Sequence, residues 1–172
     1  MDTHIVYAWT DSPVGPVWIA TTEAGICALR LGVGQPQGLF AWLSKHIDSE
    51  HEPPREDPDI LTPALIQLRE YFACTRREFD LPLDVRGTPF QRAVWTQVAR
   101  IPYGTTTTYG EIAHRIGRPR AARAVGGANS ANPLPIIIPC HRVIGAGGAL
   151  IGYGAGLAVK AMLLQLEGAL LV

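Results

Sequence analysis

The chain has 172 residues, 47% of them apolar, with 15 Lys and Arg balanced by 15 Asp and Glu, enough to bury a full core as one large domain or two small ones. Its three cysteines, Cys27, Cys74 and Cys140, stand far apart without a C-x-x-C pair, which argues against a disulfide framework or zinc knuckle and for a reducing compartment. Met1-Asp2-Thr3-His4 opens no signal-peptide pattern and no window approaches the roughly 18 apolar residues of a membrane span, so a soluble cytoplasmic protein with no membrane partner is expected.

The zero net charge conceals a division. Residues 1–83 carry 6 Lys and Arg against 12 Asp and Glu, whereas residues 84–172 carry 9 against 3. The acidic part reads as solvated scaffold, and the basic residues from Arg115 to Arg142 favour a polyanionic partner.

The first third reads as a meander of short strands over residues 5–9, 17–20 and 26–31, with turns at Asp11-Ser12-Pro13-Val14-Gly15 and Glu23-Ala24-Gly25. A short helix is expected over 39–46, then a charged, Pro-rich stretch over 48–59. A stronger helix follows over 61–72, with Leu61, Leu65, Leu68 and Phe72 on one face. Near Leu81-Pro82-Leu83-Asp84 the charge balance reverses, dividing the chain into domains 1–83 and 84–172. Thr88-Pro89-Phe90-Gln91 is a capping box with proline at the first helical position, opening a helix to about Arg100. A second box, Thr108-Tyr109-Gly110-Glu111, opens a helix through Ile116, and after Gly117 and Pro119 a third spans 120–129. The last two form a helix-turn-helix. The fold class is therefore α+β: a small N-terminal sheet with helices, then a mostly helical domain with a helix-turn-helix and a short active-site strand.

The third helix, Arg120-Ala121-Ala122-Arg123-Ala124-Val125-Gly126-Gly127-Ala128, surrounds one long cation with small side chains, although each glycine costs about 1 kcal/mol relative to alanine. Tight packing on a neighbouring helix would justify that cost. So would close approach to a nucleic-acid backbone, a smooth surface suiting the minor groove better than base reading in the major groove.

Pro139-Cys140-His141-Arg142-Val143, entered from Ile136-Ile137-Ile138, sets a thiol and an imidazole where a buried segment ends. A free thiol titrates near about 8.5 and needs a neighbouring base or cation to ionise at neutral pH; His141 and Arg142 are the candidates. Adjacent side chains diverge, so His141 is expected to reach the sulfur through water. The loops Gly145-Ala146-Gly147-Gly148 and Gly152-Tyr153-Gly154-Ala155-Gly156 offer backbone amides, and a last helix spans 157–167. Glu167 sits at its unfavourable negative end, either solvated or paired with His141 in a Cys-His-Glu arrangement. Asn132, before Pro133, is either an ordinary turn residue or a bridge from the third helix to the strand carrying Cys140.

The run from Gly126-Gly127-Ala128-Asn129 through Asn132-Pro133-Leu134-Pro135 to Pro139-Cys140-His141-Arg142-Val143 resembles the signature of the O6-alkylguanine-DNA alkyltransferases, with similarity over about 88–168 and more weakly at Asp11-Ser12-Pro13-Val14-Gly15. The resemblance implies DNA repair by direct, stoichiometric transfer of an alkyl group from O6-alkylguanine, and less well from O4-alkylthymine, to Cys140 after the nucleotide flips out. It makes Cys140 the acceptor, His141 its water-mediated base, Glu167 the group orienting His141, and Asn132 the residue fixing the turn. Tyr109 would displace a phosphate and hydrogen-bond the guanine ring nitrogen, and Arg123 would fill the gap left by the flipped base. Arg118, Ala121, Ala122, Ala124 and Gly126 would complete the DNA face. Val143 and Cys140 would offer carbonyls to the guanine amino group, Pro135 and Tyr153 would wall the alkyl pocket, and Gly154 would stand on its loop. The implied partner is double-stranded DNA, met in the minor groove by a monomer with room for cooperation between copies. A non-catalytic, alkyltransferase-like lesion binder is the alternative.

Gly154 and Ala155 depart from the commoner family pattern, which bears on pocket width. No cofactor or zinc is expected, because Cys27 lacks spaced partners among His4, His46 and His51. Cys27 and Cys74 read as buried small apolar residues, and His114 as an ordinary polar residue of its helix.

Overall fold

The computed structural model describes residues 4–32, 34–47 and 52–170, so Met1-Asp2-Thr3, His51 and the start of the charged stretch lie outside the described residues. The chain divides into two units, Met1–Arg86 and Gly87–Val172.

In the first unit, β1 (Val6–Thr10), β2 (Val17–Thr22) and β3 (Gly25–Leu31) form the antiparallel meander. The β1–β2 turn closes through Gly15 N–H to Ser12 O at 3.0 Å, with Ser12 Oγ donating back to Gly15 O at 2.6 Å. α1 (Gln37–His46) lays Leu39 and Leu43 on Trp18, Ala20, Cys27 and Ala28. The charged stretch is not wholly irregular. It contains β4 (Arg55–Glu56), which adds parallel to β1 and gives the order β3-β2-β1-β4. Both its residues are exposed, so no apolar alternation marked it.

α2 (Thr62–Phe72) buries Ala64, Leu65, Leu68 and Tyr71. Tyr71, not Phe72, is the fully buried aromatic, because the chain beyond the helix brings the Phe79 ring to 5.7 Å from it. Cys74 is exposed, against the expectation of burial, and adopts φ 59°. It occupies the left-handed reversal that returns Thr75 N–H to Glu70 O at 2.9 Å and caps α2. Cys27 is fully buried, its thiol pushed up to about 12 chiefly by burial. The stretch before the unit boundary is bound to the edge of β3: Ile26 N–H donates to Pro82 O at 2.8 Å and Asp84 N–H to Ile26 O at 2.9 Å.

The second unit comprises α3 (Pro89–Val98), β5 (Thr107–Thr108), α4 (Tyr109–Arg115), α5 (Ala122–Ser130), a 3-10 turn (Cys140–Arg142), β6 (Val143–Ile144), a second 3-10 turn (Ala146–Gly148) and α6 (Leu157–Leu166). Both capping boxes form: Thr88 Oγ1 accepts from Gln91 N–H at 3.2 Å, and Thr108 Oγ1 from Glu111 N–H at 3.1 Å, with the reciprocal bonds present. Between α4 and α5, Gly117 takes φ 72° and Arg118 N–H returns to Ala113 O at 2.9 Å. α5 starts at Ala122 rather than Arg120, because Pro119 and Arg120 are spent in a turn closed by Ala121 N–H to Arg118 O at 2.9 Å. Its inner face, Val125, Ala128 and Asn129, is buried, and Trp95 Nε1–H of α3 donates to Ala128 O at 2.8 Å.

The run Ile136-Ile137-Ile138 is not a strand. Ile136 has φ 74°, and Pro135 bridges Ile138 across a tight turn, so Cys140 stands in the 3-10 turn and the strand begins only at Val143. Proline on both sides of the run removes the N–H groups a ladder needs.

No helix among the described residues is long and apolar enough to cross a membrane. Gly25 has φ 140°, and a Cβ there would lie 2.5 Å from Pro82 O. Gly25→Ala should lower stability in urea unfolding by at least about 1–3 kcal/mol from backbone strain alone.

Candidate active site

The backbone around Cys140 is fixed from behind. Asn132 Nδ2–H donates to Ile138 O at 2.8 Å while its Oδ1 accepts from Leu134 N–H at 2.9 Å, so one buried amide pins both ends of the turn before the thiol. Cys140 N–H then donates to Ile138 O at 2.7 Å and Arg142 N–H to Pro139 O at 3.0 Å. Parallel pairing of Thr107 with Val143 and Thr108 with Ile144 brings the end of this segment beside the first turn of α4, where Tyr109 begins the helix.

Glu167 is paired, and more fully than the sequence suggested. His141 Nε2 lies 2.6 Å from Glu167 Oε1, and both side chains are wholly buried. Arg142 clamps the same carboxylate, Nε to Oε2 at 2.8 Å and Nη2 to Oε1 at 3.0 Å, while its Nη1 donates to Ile101 O at 2.6 Å. Gly104 N–H adds a bond to Oε2 at 3.2 Å; the position suits glycine, since φ is 74° and a Cβ would meet Glu167 O at 2.9 Å. A carboxylate is an acceptor, so Nε2 carries the imidazole proton, leaving Nδ1 as the basic nitrogen. Nδ1 is buried and has no protein hydrogen-bond partner.

Burial lowers the His141 affinity for a proton, with the Glu167 hydrogen bond and charge opposing it. Burial likewise raises the Cys140 thiol above its ordinary value, opposed by a hydrogen bond from Asn132, the Lys160 charge and a hydrogen bond from Tyr153. Desolvation dominates both, so the resting site holds a neutral thiol beside a neutral imidazole. Arg142 is therefore not the cation that acts on the thiol. Its guanidinium is committed to Glu167 and Ile101, and Lys160 fills that role.

Lys160 was absent from the sequence-derived site. It is fully buried in α6, donating to Val143 O at 2.6 Å, Ile151 O at 2.9 Å, Gly152 O at 3.3 Å and Tyr109 Oη at 3.4 Å. Burial lowers it to about 8. A signal was present: it is the only lysine of residues 84–172, set among apolar neighbours where a solvated cation has no reason to be. Asn129 was also passed over as a site residue. It is 2% exposed, and its Nδ2–H donates to Cys140 O at 3.2 Å.

Tyr109 is half-buried, its hydroxyl donating to Ile151 O at 2.9 Å. Tyr153 is half-buried beside the thiol, Pro135 half-buried in the turn before it, and Gly154 exposed on its loop. His141, Asn132, Val143, Tyr153 and Glu167 are thus gathered near the Cys140 thiol, with Tyr109 joined through Lys160. Val143 O already accepts a bond from Lys160, and Cys140 O accepts two, from Asn129 Nδ2–H and from the backbone N–H of Val143.

The residues expected to face DNA lie on and between α4 and α5. Arg118, Arg123 and Ala124 are exposed, while Ala121 and Ala122 are half-buried. Intramolecular packing does not account for the glycine pair. A Cβ at Gly126 would make only ordinary contact, 3.8 Å from the Tyr109 ring, and one at Gly127 would meet nothing within 4 Å.

Among the described residues no three His, Cys, Asp or Glu side chains gather as a metal site would require. The buried charges hold each other instead. Arg142→Met leaves the Glu167 carboxylate with one cationic partner fewer and should destabilise the protein by about 3–5 kcal/mol in denaturant unfolding.

Two family models cover most of the chain: the 6-O-methylguanine DNA methyltransferase ribonuclease-like domain over residues 5–85 and its DNA-binding domain over residues 89–169. The chain is 46% identical over 95% of its length to the methylated-DNA–protein-cysteine methyltransferase of Mycobacterium tuberculosis H37Rv, covering 92% of that protein. It is 44% identical to the constitutive enzyme of Bacillus subtilis, covering 94% of each chain. The fold superposes on the crystal structure of Mycobacterium tuberculosis OGT in complex with DNA with a TM-score of 0.81 at 45% identity, covering 95% of this chain and 93% of that one. With the Pyrococcus kodakaraensis O6-methylguanine-DNA methyltransferase the TM-score is 0.66 at 26% identity, covering 95% and 99%. Together with the buried Cys-His-Glu arrangement, these matches place the chain in the 6-O-methylguanine DNA methyltransferase family.

Proposed function

We propose that this chain repairs DNA by accepting the alkyl group of O6-alkylguanine, and less readily O4-alkylthymine, on Cys140, once per protein molecule. The observation that carries the proposal is the buried thiol backed by the His141–Glu167 pair in the same unit as an exposed, small-residue helix bearing Arg123. An alkyl group on the guanine oxygen lies inside the duplex, so the nucleotide must be extruded at an expense of a few kcal/mol. The Ala and Gly face of α5 lets the backbone approach, and Arg123 is long enough to occupy the vacated stack. Approach through the minor groove fits a surface without base-reading side chains. A monomer suffices, since all the named groups come from one chain, and copies have room to cooperate along DNA.

In this reading the thiol proton passes through water to Nδ1 of His141, and Glu167 stabilises the imidazolium. The thiolate attacks the alkyl carbon in line; the C–S bond forms, the C–O bond breaks, and its electron pair enters the guanine ring. Tyr109 gives its hydroxyl proton to the ring nitrogen, and the proton first taken from the thiol balances the one gained by the base. Lys160 lies where its charge favours both the thiolate and the transient phenolate. Tyr153 and Pro135 bound the alkyl group, and Gly154 leaves the loop backbone open to the guanine oxygen. No named group can cleave the thioether, so each molecule reacts once.

Incubation with duplex carrying O6-methylguanine should add one methyl to Cys140 by mass spectrometry and stop at one equivalent; turnover beyond one equivalent overturns the reading. Cys140→Ser should keep lesion binding and lose transfer. Because Lys160 titrates at about 8, its ammonium is present below that pH and lost above it, so the single-turnover rate should fall as pH rises through this range. Lys160→Met should be slower by about 10²-fold and lack that alkaline limb. Gly127→Ala should raise stability by about 1 kcal/mol, since its Cβ meets only open space, while weakening duplex binding measured by titration.

A further inference from the structure

α3 carries the apolar row Phe90, Val94 and Val98, spaced about one turn apart along one side of the helix. Val94 and Val98 are fully buried, and Trp95 Nε1–H pins the helix to α5 by donating to Ala128 O at 2.8 Å. Phe90, at the N-terminal end of the row, is only half-buried. A charge lies over its ring: the Arg118 guanidinium carbon stands 6.0 Å from the ring centroid. Both ends of this contact are anchored through the backbone. The Thr88–Gln91 capping box sets the first turn of α3, and Arg118 sits between α4 and α5 with its N–H on Ala113 O at 2.9 Å and its carbonyl accepting from Ala121 N–H at 2.9 Å. Arg118 is exposed, and among the described residues its guanidinium has no hydrogen bond or ion pair. Of the exposed arginines Arg115, Arg118, Arg120 and Arg123, Arg118 alone lies over an aromatic ring among the described residues.

A guanidinium over a ring presents its face to the π-system and keeps its edge N–H groups for an anion, in the fork geometry that suits a phosphate. An arginine on a surface turn otherwise samples many rotamers, and holding it still on a ligand costs that freedom. We propose that Phe90 is a positioning residue for duplex binding: its ring holds Arg118 beside the start of α5 so that the edge N–H groups receive a backbone phosphate. The unneutralised charge calls for an anionic partner, and the methyl side chains of Ala121, Ala122 and Ala124 nearby hold nothing away. A phosphate contact carries no sequence information but fixes register, so it sets where α5 lies without reading a base. Arg123, with no ring over which to rest among the described residues, keeps the rotamer freedom that reaching into a vacated stack requires.

The inference rests on the DNA-binding part of the repair reading, and its test separates the two. Binding of the full chain to a lesion-free duplex is titrated over a salt series from about 50 to 200 mM. The native protein is compared with Arg118→Met, Phe90→Leu, Phe90→Tyr and the double variant of the first two. Arg118→Met should weaken binding and reduce the slope of log affinity against log salt by about 0.9, the share of one phosphate. Phe90→Leu should weaken binding about 2–10-fold with the slope unchanged, because the phosphate contact persists and only its preorganisation is lost. Phe90→Tyr, which keeps the ring, should bind as the native protein does, and the double variant should bind no more weakly than Arg118→Met. Native affinity in Phe90→Leu, equal weakening in Phe90→Tyr, additive losses in the double variant or an unchanged slope in Arg118→Met overturns the proposal. Should Phe90→Leu not fold, Phe90→Met, whose flexible side chain fills an irregular gap, carries the same comparison. A native protein that does not bind duplex at any salt concentration would instead overturn the DNA-repair reading itself.

Discussion

The buried Glu167 carboxylate is the centre on which the second unit is organised. It collects His141 at 2.6 Å, two bonds from Arg142 at 2.8 and 3.0 Å, and the N–H of Gly104 at 3.2 Å. These partners come from the loop after α3 and the 3-10 turn of the thiol, while Glu167 itself ends α6, so satisfying one charge fastens three distant segments. Leaving a charge in that interior without partners would cost several kcal/mol, which makes the arrangement close to all-or-none. The side chains whose geometry matters for chemistry are thus held by the requirement that a carboxylate not be buried alone.

The same dryness shapes the reactivity. Burial holds both thiol and imidazole neutral in the free protein, and the hydrogen bonds of Asn132 and Tyr153 and the charge of Lys160 oppose that trend. A thiol kept neutral is protected from indiscriminate alkylation and oxidation. In the proposed reaction the thiolate is generated only where a proton acceptor, an alkyl carbon and a proton donor meet. Lys160 ties these together, since it bonds the Val143 carbonyl, the Ile151–Gly152 loop and Tyr109 from a single buried position. Asn129 holds the nucleophile's backbone from α5, donating to the carbonyl of Cys140.

The glycine pair in α5 shows how a local sacrifice of stability is read correctly only with neighbours in view. In sequence, packing on another helix and approach to a nucleic acid both explained the small residues. The open space at Gly127 and the ordinary contact at Gly126 remove the first account within the chain. The match to a DNA-binding family model and to a DNA-bound homologue agrees with the second.

Much was decided locally and could therefore be read from residues alone. The capping boxes at Thr88 and Thr108, the turn at Ser12–Gly15 and the apolar periods of the strands act within a few residues, and each element formed where its signal stood. The reactive pentapeptide was legible for the same reason: its residue types are adjacent and chemically unusual together. Where neighbours from elsewhere set the outcome, the sequence was silent. Ile136-Ile137-Ile138 has strand composition, but its flanking prolines and the Asn132 clamp make it a turn; α5 starts late because a turn captures Pro119 and Arg120; Cys74 is exposed because α2 ends on it. The partners of Glu167, the change of role from Arg142 to Lys160, and the bond from Asn129 to the Cys140 carbonyl join residues 11 to 63 positions apart. Short-range signals belong to the backbone and its nearest side chains, so the sequence alone determined the elements and the nucleophile. Pairing of buried charges depends on which segments a closed core brings together, and only the tertiary structure decided it.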